Sequence, residues 1–327
     1  MNHSPPELSV LLFTPDDFQT IRKTVRHLQA QTAREQIELV ILCPSRDQLQ
    51  ADPAALTGFG AVRLVEVGPG CSTSTAKTRA IPQLTTPFVA LAEDHCYPDP
   101  TWAATLLAAH HAGHPVVGPL VENANPATAL SWANFIACFG RWTSPVPTGP
   151  VVHTPYHNTS YRRDLLLGYG AALTGLLAME YFLQEDLRAR GHQPYLCPNL
   201  RVRHVNFSRL RPWAVHAYLG GRLFGGTRWT WERWPVGKRA LYIVAAPLIP
   251  LVRLRRTLRQ MRADPRQWER WPRILPWLVL GLGLHALGEL VGYLAGLGDT
   301  EPRYSRLEMR RLDHVIASDR RQIEEES

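Results

Sequence analysis

The sequence predicts an α/β fold, in which a parallel sheet comes first and an apolar helical segment follows. The chain has 327 residues, enough for one large domain and an appendage. Continuous apolar runs, typical of buried strands, lie at residues 8–13, 37–42 and 62–67. Between the first two runs, apolar side chains recur at helical spacing from Phe18 to Leu28. The order strand, helix, strand favours parallel strands joined by right-handed crossovers.

Cap and turn signals predict where the next elements begin. Thr14 is expected to cap the first helix, with Pro15 at its first position and two acids in its first turn. The second strand ends in a turn that begins at Cys43. The glycine- and hydroxyl-rich stretch at 68–80 is expected to open another helix, and it lacks the spacing of a phosphate-binding P-loop.

A fourth apolar run, residues 88–92, leads directly into three polar side chains, Glu93, Asp94 and His95. Two prolines and a predicted helix at 101–110 follow. Open α/β sheets bind their ligands at the C-terminal ends of strands, which is where these side chains are expected. Carboxylate and imidazole together suit a divalent cation, Mg²⁺ or Mn²⁺, and the imidazole favours Mn²⁺ or a later metal.

This stretch resembles the metal-binding region of family 2 glycosyltransferases with a GT-A fold. In that family an apolar strand runs into Asp-x-Asp, and Pro-x-Pro-x-Trp follows. Aligned through Pro100, Glu93 takes the first acidic position and His95 takes the second, where the family commonly has Asp. An Asp-x-His pattern occurs in some GT-A enzymes that use Mn²⁺. The resemblance extends over residues 8–228 and implies a metal held by Glu93 and His95.

The resemblance also implies residues that contact a nucleotide-diphosphate sugar. The nucleotide-binding candidates are Thr14, Pro15, Cys43, Lys77 and Asp94, the last of which would support the metal ligands or the ribose. The candidates for contacts with the donor sugar or the acceptor are Asn158, Arg162 and Arg222. Arg222 belongs to the glycine-rich stretch 220–229, which would form a lid over the diphosphate. An ordinary structural role is the alternative at each of these positions.

The segment from Met179 to His192 has the apolar spacing of an amphipathic helix, with Gly191 suited to the position after its end. In the family, two acids begin this helix and the second is the catalytic base. Counted back from Gly191, the base position falls on Glu180. The pair at 185–186 is a decoy expected on the solvent side. A following strand ends at His204, and it resembles the family's Pro-x-x-x-Val-x-His, whose histidine approaches the metal or the diphosphate.

The C-terminal third combines apolar runs with arginines, within a chain whose net charge is +8. The run at 240–252 is too short to span a bilayer, and its basic flanks predict a re-entrant or interfacial segment. The run at 274–297 is long enough to span. It contains His285 and Glu289, four residues apart, and glycines at 288, 292 and 296 that permit close helix contact. A buried soluble helical hairpin is the alternative.

The sequence thus predicts a GT-A domain at 1–230, a membrane-associated helical region at 231–300 and a charged tail at 301–327. The resemblance implies an inverting, metal-dependent glycosyltransferase that uses a UDP- or GDP-sugar, with Mn²⁺ or Mg²⁺ and a lipid-linked or cell-envelope acceptor. The alternative is a catalytically inactive GT-A scaffold or nucleotide-binding protein at the membrane. Five cysteines without metal-site spacing suit the cytosolic side of the cytoplasmic membrane. The glycine repeat leaves a homo-oligomer open. Nucleic acid is not an expected partner, because the basic residues border apolar runs.

Overall fold

The structure, a computed structural model, describes residues 5–325 and divides this part of the chain into two compact units. Unit 1 comprises the chain up to Glu122 together with Val146–His204. Unit 2 comprises Asn123–Pro145 and the chain from Val205 onward. The units cut across the predicted domain boundary at residue 230, because residues 123–145 and 205–230 group with the C-terminal helices.

The described strands form one nine-stranded sheet. Their bounds are β1 Leu8–Phe13, β2 Ile37–Cys43, β3 Ala61–Glu66, β4 Phe88–Ala92, β5 Cys96–Pro98, β6 Val116–Asn123, β7 Gly149–Pro150, β8 Ser160–Arg162 and β9 Pro194–His204. The order is β3-β2-β1-β4-β8-β6-β9-β5, with β7 paired to β9. The first four strands pair in parallel and the remaining pairings of β8, β5 and β7 are antiparallel. β1, β2 and β4 are buried along their whole length, as expected for continuous apolar strands covered on both faces.

The helices of unit 1 are α1 Phe18–Gln29, α2 Arg46–Leu49, α3 Thr73–Ala80, α4 Trp102–His111, α6 Arg163–Leu167, α7 Leu173–Ala178 and α8 Glu180–Ala189. Unit 2 contains α5 Ala129–Phe139, α9 Leu210–Trp231, α10 Val236–Ala245, α11 Ile249–Met261, α12 Pro265–Trp268, α13 Trp271–Ala295, α14 Thr300–Glu308 and α15 Ala317–Glu325. The predicted α/β class with a C-terminal apolar helical segment is confirmed.

The start of α1 differs from the prediction that Thr14 caps it. The cap is Asp17, whose carboxylate accepts a hydrogen bond from the backbone N–H of Gln19 at 2.9 Å. Thr14 Oγ1 instead donates to the carbonyl of Asp17 at 2.9 Å, so Thr14 and Pro15 belong to the turn that precedes the helix. The sequence signal was ambiguous because Thr and Asp are both good N-cap residues. The structure uses Asp17, which directly precedes Phe18, the first apolar residue of the helix.

In unit 2, α9 and α13 lie against each other through glycines of both helices. A Cβ added at Gly221 would meet the His285 carbonyl oxygen at 1.9 Å, and one at Gly288 would meet that of Tyr218 at 2.0 Å. The glycine-rich stretch 220–229 is therefore the interior of α9 and not a lid, which corrects the prediction made for it. The close helix contact predicted for the repeat is present at Gly288 and Gly292, where α9 of the same chain packs against α13. Gly296 makes no such contact, because it lies at the C-terminal end of α13, and a Cβ there would meet nothing within 4 Å.

The last two helices show that the predicted charged tail is folded. α14 and α15 bury Glu308 and Asp319. Among the described residues, α13 is the one helix that is long and apolar enough to cross a membrane. About one third of its most apolar 18-residue stretch is buried, 33%. Its predicted internal pair is present, since His285 Nδ1 lies 3.0 Å from a carboxylate oxygen of Glu289.

Candidate active site

The candidate site is built at the C-terminal edge of the parallel strands in unit 1. The register pairs Leu12 of β1 with Ile41 of β2 and with Ala92 of β4. Thr14, Cys43 and Asp94 each lie two residues beyond these partners and are therefore at the same level of the sheet edge. Three sequence-predicted positions are thus brought to one edge, where open α/β sheets bind ligands.

Glu93, His95 and His204 converge at this edge, although His204 is more than one hundred residues away in sequence. β5 pairs with β9 so that Cys96 lies opposite His204, which places His95 next to it. The two Nε2 atoms are 3.1 Å apart, and Glu93 Oε2 lies 3.6 Å from His204 Nε2. One ligand atom from each residue fits within a span of 4.8 Å, and all three residues are buried. Ligands of one cation at about 2.1 Å lie roughly 3 Å apart, so this group can hold a divalent metal.

Two neighbouring side chains orient the ligand atoms of this group. Asp94 Oδ1 lies 2.7 Å from His95 Nδ1, which holds the proton on Nδ1 and directs the Nε2 lone pair toward the other ligands. Asn158 donates from Nδ2 to Glu93 Oε2 at 2.7 Å. Thr24 of α1 donates to the Asp94 carbonyl at 2.9 Å and fixes the loop itself. Such outer contacts accompany metal ligands in proteins, and they fit the donor set observed.

Glu180, the predicted base, is the first residue of α8 and is 2% exposed. The helix N-terminus favours its negative charge. Oε2 accepts hydrogen bonds from the Tyr161 hydroxyl at 3.1 Å and from the His157 backbone N–H at 3.2 Å. Oε1 lies 3.0 Å from His157 Nδ1, in an ion-pair contact, and has no well-aligned hydrogen-bond donor among the described residues. That oxygen retains a lone pair with which it can accept a proton.

The charges around Glu180 keep its carboxylate ionised. Burial alone would raise the pKa of Glu180, but the imidazolium of His157 and the charge of Lys77 outweigh burial and lower that pKa below its usual value. Burial also disfavours the charged form of His157 and so lowers its pKa. The carboxylates of Glu93 and Glu180 outweigh burial and raise the pKa of His157 to about 9. A carboxylate that is ionised at neutral pH can act as a general base.

His157 and Asn158 connect the two halves of the site. Both residues have left-handed backbone conformations, with φ of 64° and 58°. His157 holds Glu180, and Asn158 holds Glu93. The backbone N–H of Asn158 donates to the Leu91 carbonyl at 2.6 Å, which joins this turn to the end of β4. One two-residue turn therefore sets the position of the base relative to the metal ligands.

Three further predicted residues of unit 1 are buried or half-buried. Lys77 is buried on α3, and its charge acts on Glu180 and His157. Cys43 is buried, its thiol lies 3.9 Å from the Val65 carbonyl, and burial raises its pKa. Pro15 is half-buried beside Thr14.

The two predicted arginines bind other partners. Arg162 pairs in register with Phe88, the first residue of β4, and its side chain binds Asp164, so it lies at the opposite end of the strand from Glu93. Arg222 lies in unit 2, where its Nε donates to the Gly296 carbonyl at 3.1 Å. The decoy acids are also engaged elsewhere, Glu185 with Arg188 and Asp186 with Arg190.

Three residues of the site were missed by the sequence predictions: His157, Tyr161 and Gln184. Gln184 lies one turn after Glu180 on α8 and donates to the Tyr161 hydroxyl at 3.2 Å, which in turn donates to Glu180. The spacing of Glu180 and Gln184 on one helix face was the available signal for that part of the network. His157 carried a weaker signal, its position next to Asn158, because its contact with Glu180 depends on the fold.

Comparison with known proteins gives a likeness in fold only. No family model and no curated protein sequence matches the chain. Similar solved structures include GalNAc-T7 with UDP, GalNAc and Mn²⁺, at 14% identity and a TM-score of 0.49, covering 62% of this chain and 44% of that one. The mannosyltransferase PcManGT from Pyrobaculum calidifontis, in complex with GDP-Man and Mn²⁺, has 13% identity and a TM-score of 0.49, covering 85% and 86%. S. aureus TarS has 12% identity and a TM-score of 0.41, covering 87% and 55%. The chain thus spans less than half of GalNAc-T7 and about half of TarS.

Proposed function

We propose that this chain is a metal-dependent glycosyltransferase with a GT-A-type catalytic unit. The observation that carries the proposal is the pairing of two carboxylates by one turn. His157 holds a buried, ionised Glu180 beside it, while Asn158 holds Glu93 within a group of potential metal ligands. Transfer of a sugar from a diphosphate donor needs a general base for the acceptor and positive charge for the leaving group. Glu180 supplies the base, and a divalent cation held by Glu93, His95 and His204 would supply the positive charge.

In the proposed reaction the acceptor hydroxyl approaches Oε1 of Glu180, the oxygen without a well-aligned donor. The new bond forms between the acceptor oxygen and the anomeric carbon as the bond from that carbon to the diphosphate breaks. Glu180 takes the hydroxyl proton, and attack from the face opposite the leaving group inverts the anomeric centre. A divalent cation held by Glu93, His95 and His204 would neutralise the charge that develops on the diphosphate.

The donor set bears on the metal. Two imidazoles and one carboxylate favour Mn²⁺ or a later divalent ion over Mg²⁺, which prefers oxygen ligands. Thr14, Pro15 and Cys43 are proposed to line the nucleotide pocket, since they lie at the same sheet edge. Asp94 is proposed as the group that orients His95 rather than as a direct nucleotide ligand.

The finer assignments extend the same proposal. Membership of glycosyltransferase family 2, a UDP- or GDP-sugar donor and a lipid-linked or envelope-glycan acceptor follow from the sequence resemblance. Association with the cytoplasmic membrane, with unit 1 on the cytosolic side, is proposed from the arginine-flanked apolar segments of unit 2. Arg162 and Arg222 are not proposed as donor contacts, because the first lies at the far end of β4 and the second donates to the Gly296 carbonyl in unit 2.

The test is nucleotide binding by calorimetry on the full chain in detergent. UDP, GDP and CMP are each titrated with Mn²⁺, with Mg²⁺ and with EDTA, in the wild type, in His95→Ala and in His111→Ala. His111 is the matched control, since it is an exposed histidine that pairs with Glu7. We expect one nucleotide to bind with Mn²⁺, and binding to be lost with EDTA and in His95→Ala but kept in His111→Ala. No binding of any nucleotide with any metal would refute the proposal.

A binding or scaffolding protein on the same fold is the second candidate. It is favoured by Met179, which stands where the family has its first acid, and by His95 in place of the common Asp. The two candidates differ in turnover. Metal-dependent nucleotide binding with no donor hydrolysis and no transfer to any acceptor would favour the scaffold.

A further inference from the structure

A line of exposed apolar side chains runs along α10, the turn that follows it and α11. It consists of Leu241, Val244, Leu248, Leu251 and Val252. Leu241 and Val244 are three residues apart on α10, Leu248 lies in the turn, and Leu251 and Val252 lie in the first turn of α11. Each is at least 56% exposed, and Val244 reaches 78%. We refer to these five residues as the apolar stripe. Exposed apolar side chains gathered along consecutive elements in this way are typical of an interaction site.

On α11 the apolar stripe is followed by a basic stripe. Arg255 lies four residues after Leu251, and Arg259 and Arg262 follow at spacings of 4 and 3, which keeps these residues on one side of the helix. All three, together with Arg256, are exposed, and Lys238 is exposed at the other end of the apolar stripe. An apolar face bounded by cations matches the boundary between the acyl chains and the headgroups of an anionic lipid leaflet.

The packing of α13 argues that unit 2 lies on the membrane and does not cross it. Glu289 of α13 is 1% exposed, and its carboxylate lies 2.5 Å from a guanidinium nitrogen of Arg253 on α11. α9 lies against α13 through the glycines described above, and it carries Arg211, Arg222 and Arg228. If α13 spanned the bilayer, these charges would enter or border the hydrocarbon, at a high cost.

We propose that unit 2 binds one leaflet of an anionic bilayer as a monotopic platform. The apolar stripe enters the interface, and Arg255, Arg256 and Arg259 contact lipid phosphates. α13 supports the platform through its packing against α9 and its ion pair with α11, and it does not cross the bilayer. This inference rests on the membrane association within the proposed function, and it is independent of sugar transfer.

The first test is flotation of the full chain with preformed vesicles. The vesicles contain phosphatidylcholine alone or phosphatidylcholine mixed with phosphatidylglycerol. The variants are Val244→Glu with Leu251→Glu, and Arg255→Glu with Arg256→Glu and Arg259→Glu. Val152→Glu is the matched control, because Val152 is a 56% exposed apolar residue of unit 1.

We expect the wild type to prefer the anionic vesicles and to be released by salt. The stripe variant should lose binding to both vesicle types by at least about tenfold. The arginine variant should lose the anionic preference, by roughly fivefold for each arginine. Val152→Glu should bind like the wild type. Equal binding of the stripe variant and Val152→Glu, or no preference for anionic lipid, would overturn the proposal.

The second test separates a monotopic platform from a spanning helix. Arg266→Cys and Asp299→Cys flank α13, and their native side chains are 75% and 68% exposed. Each is introduced in a Cys138→Ser background, and sealed membrane vesicles are labelled with an impermeant maleimide. A monotopic chain gives labelling of both positions from the same side, whereas labelling from opposite sides would refute the proposal. Nucleotide binding measured on the same variants in detergent shows separately whether the catalytic proposal stands.

Discussion

His157 contacts Glu180 with both its side chain and its backbone. Nδ1 lies 3.0 Å from Oε1, and the backbone N–H donates to Oε2 at 3.2 Å. The residue makes this backbone contact in the left-handed conformation, which costs a non-glycine residue conformational energy. The imidazolium and the fixed backbone together hold a buried carboxylate in its ionised form. His157 is therefore a positioning residue for the proposed base.

Replacing His157 with Gln should shift the acidic limb of the pH–rate profile. In the wild type the pKa of Glu180 is below that of an ordinary glutamate. The carboxylate therefore stays ionised, and the proposed base stays active, at a pH where an ordinary glutamate would be protonated. Without the imidazolium, burial would dominate and raise that pKa, so activity would be lost at a higher pH. The measurement is the pH dependence of kcat/KM with a metal-saturated enzyme.

The control for this shift is His153→Gln. His153 Nε2 lies 2.7 Å from Glu185, a histidine–carboxylate pair of similar length in the same unit. It should leave the acidic limb unchanged. An unshifted limb in His157→Gln, or an equal shift in both variants, would show that His157 does not set the ionisation of the base.

Glu180→Gln should lower kcat by about 10²–10⁴-fold, the usual contribution of a general base. The amide keeps the shape of the side chain and its place beside Tyr161, so metal-dependent nucleotide binding should be retained. Glu185→Gln is the matched control on the same helix, and it should retain near wild-type turnover because Glu185 pairs with surface Arg188. Comparable losses in both variants would argue against Glu180 as the base.

Asp94→Ala should weaken metal binding by about 10–100-fold, the typical effect of removing a group that orients a metal-bound histidine. Asp94 Oδ1 lies 2.7 Å from His95 Nδ1. Without this carboxylate the imidazole ring of His95 could rotate and change its tautomer. Asp94→Asn, which keeps an acceptor oxygen, should lose less. Mn²⁺ titration of nucleotide binding reads out the difference. If both variants bound the metal as the wild type does, Asp94 would not be an orienting group.

The strands were predictable because each is a continuous apolar run with little else to compete for its residues. β1 was predicted at its observed bounds, and β4 likewise, since a fully buried strand is apolar on both faces. Gly191 was predicted after α8, and it has the positive φ of 88° that the position needs. Where two residues offered the same signal, as Thr14 and Asp17 did for the helix cap, the sequence alone did not decide.

The group of candidate metal ligands was predictable for a different reason, since Glu93 and His95 are only two residues apart and His204 ends a recognisable strand. The residues that control the base were not, because His157 and Tyr161 reach Glu180 only through the pairing of β8 with β4. The sequence also did not show which backbone packs against the glycine repeat in α13. The repeat showed that a backbone comes close, and only the fold shows that the backbone belongs to α9.

That close approach can be tested with two glycines of the same helix. A Cβ at Gly288 would meet the Tyr218 carbonyl at 2.0 Å, whereas a Cβ at Gly283 meets nothing within 4 Å. Gly288→Ala should therefore destabilise unit 2 by about 1–3 kcal/mol through overpacking. Gly283→Ala should be neutral or stabilising by up to about 1 kcal/mol, because Ala is the better helix former. Thermal unfolding in detergent, followed by circular dichroism, compares the two variants. If Gly288→Ala unfolded at the same temperature as Gly283→Ala, the two helices would not pack through this glycine.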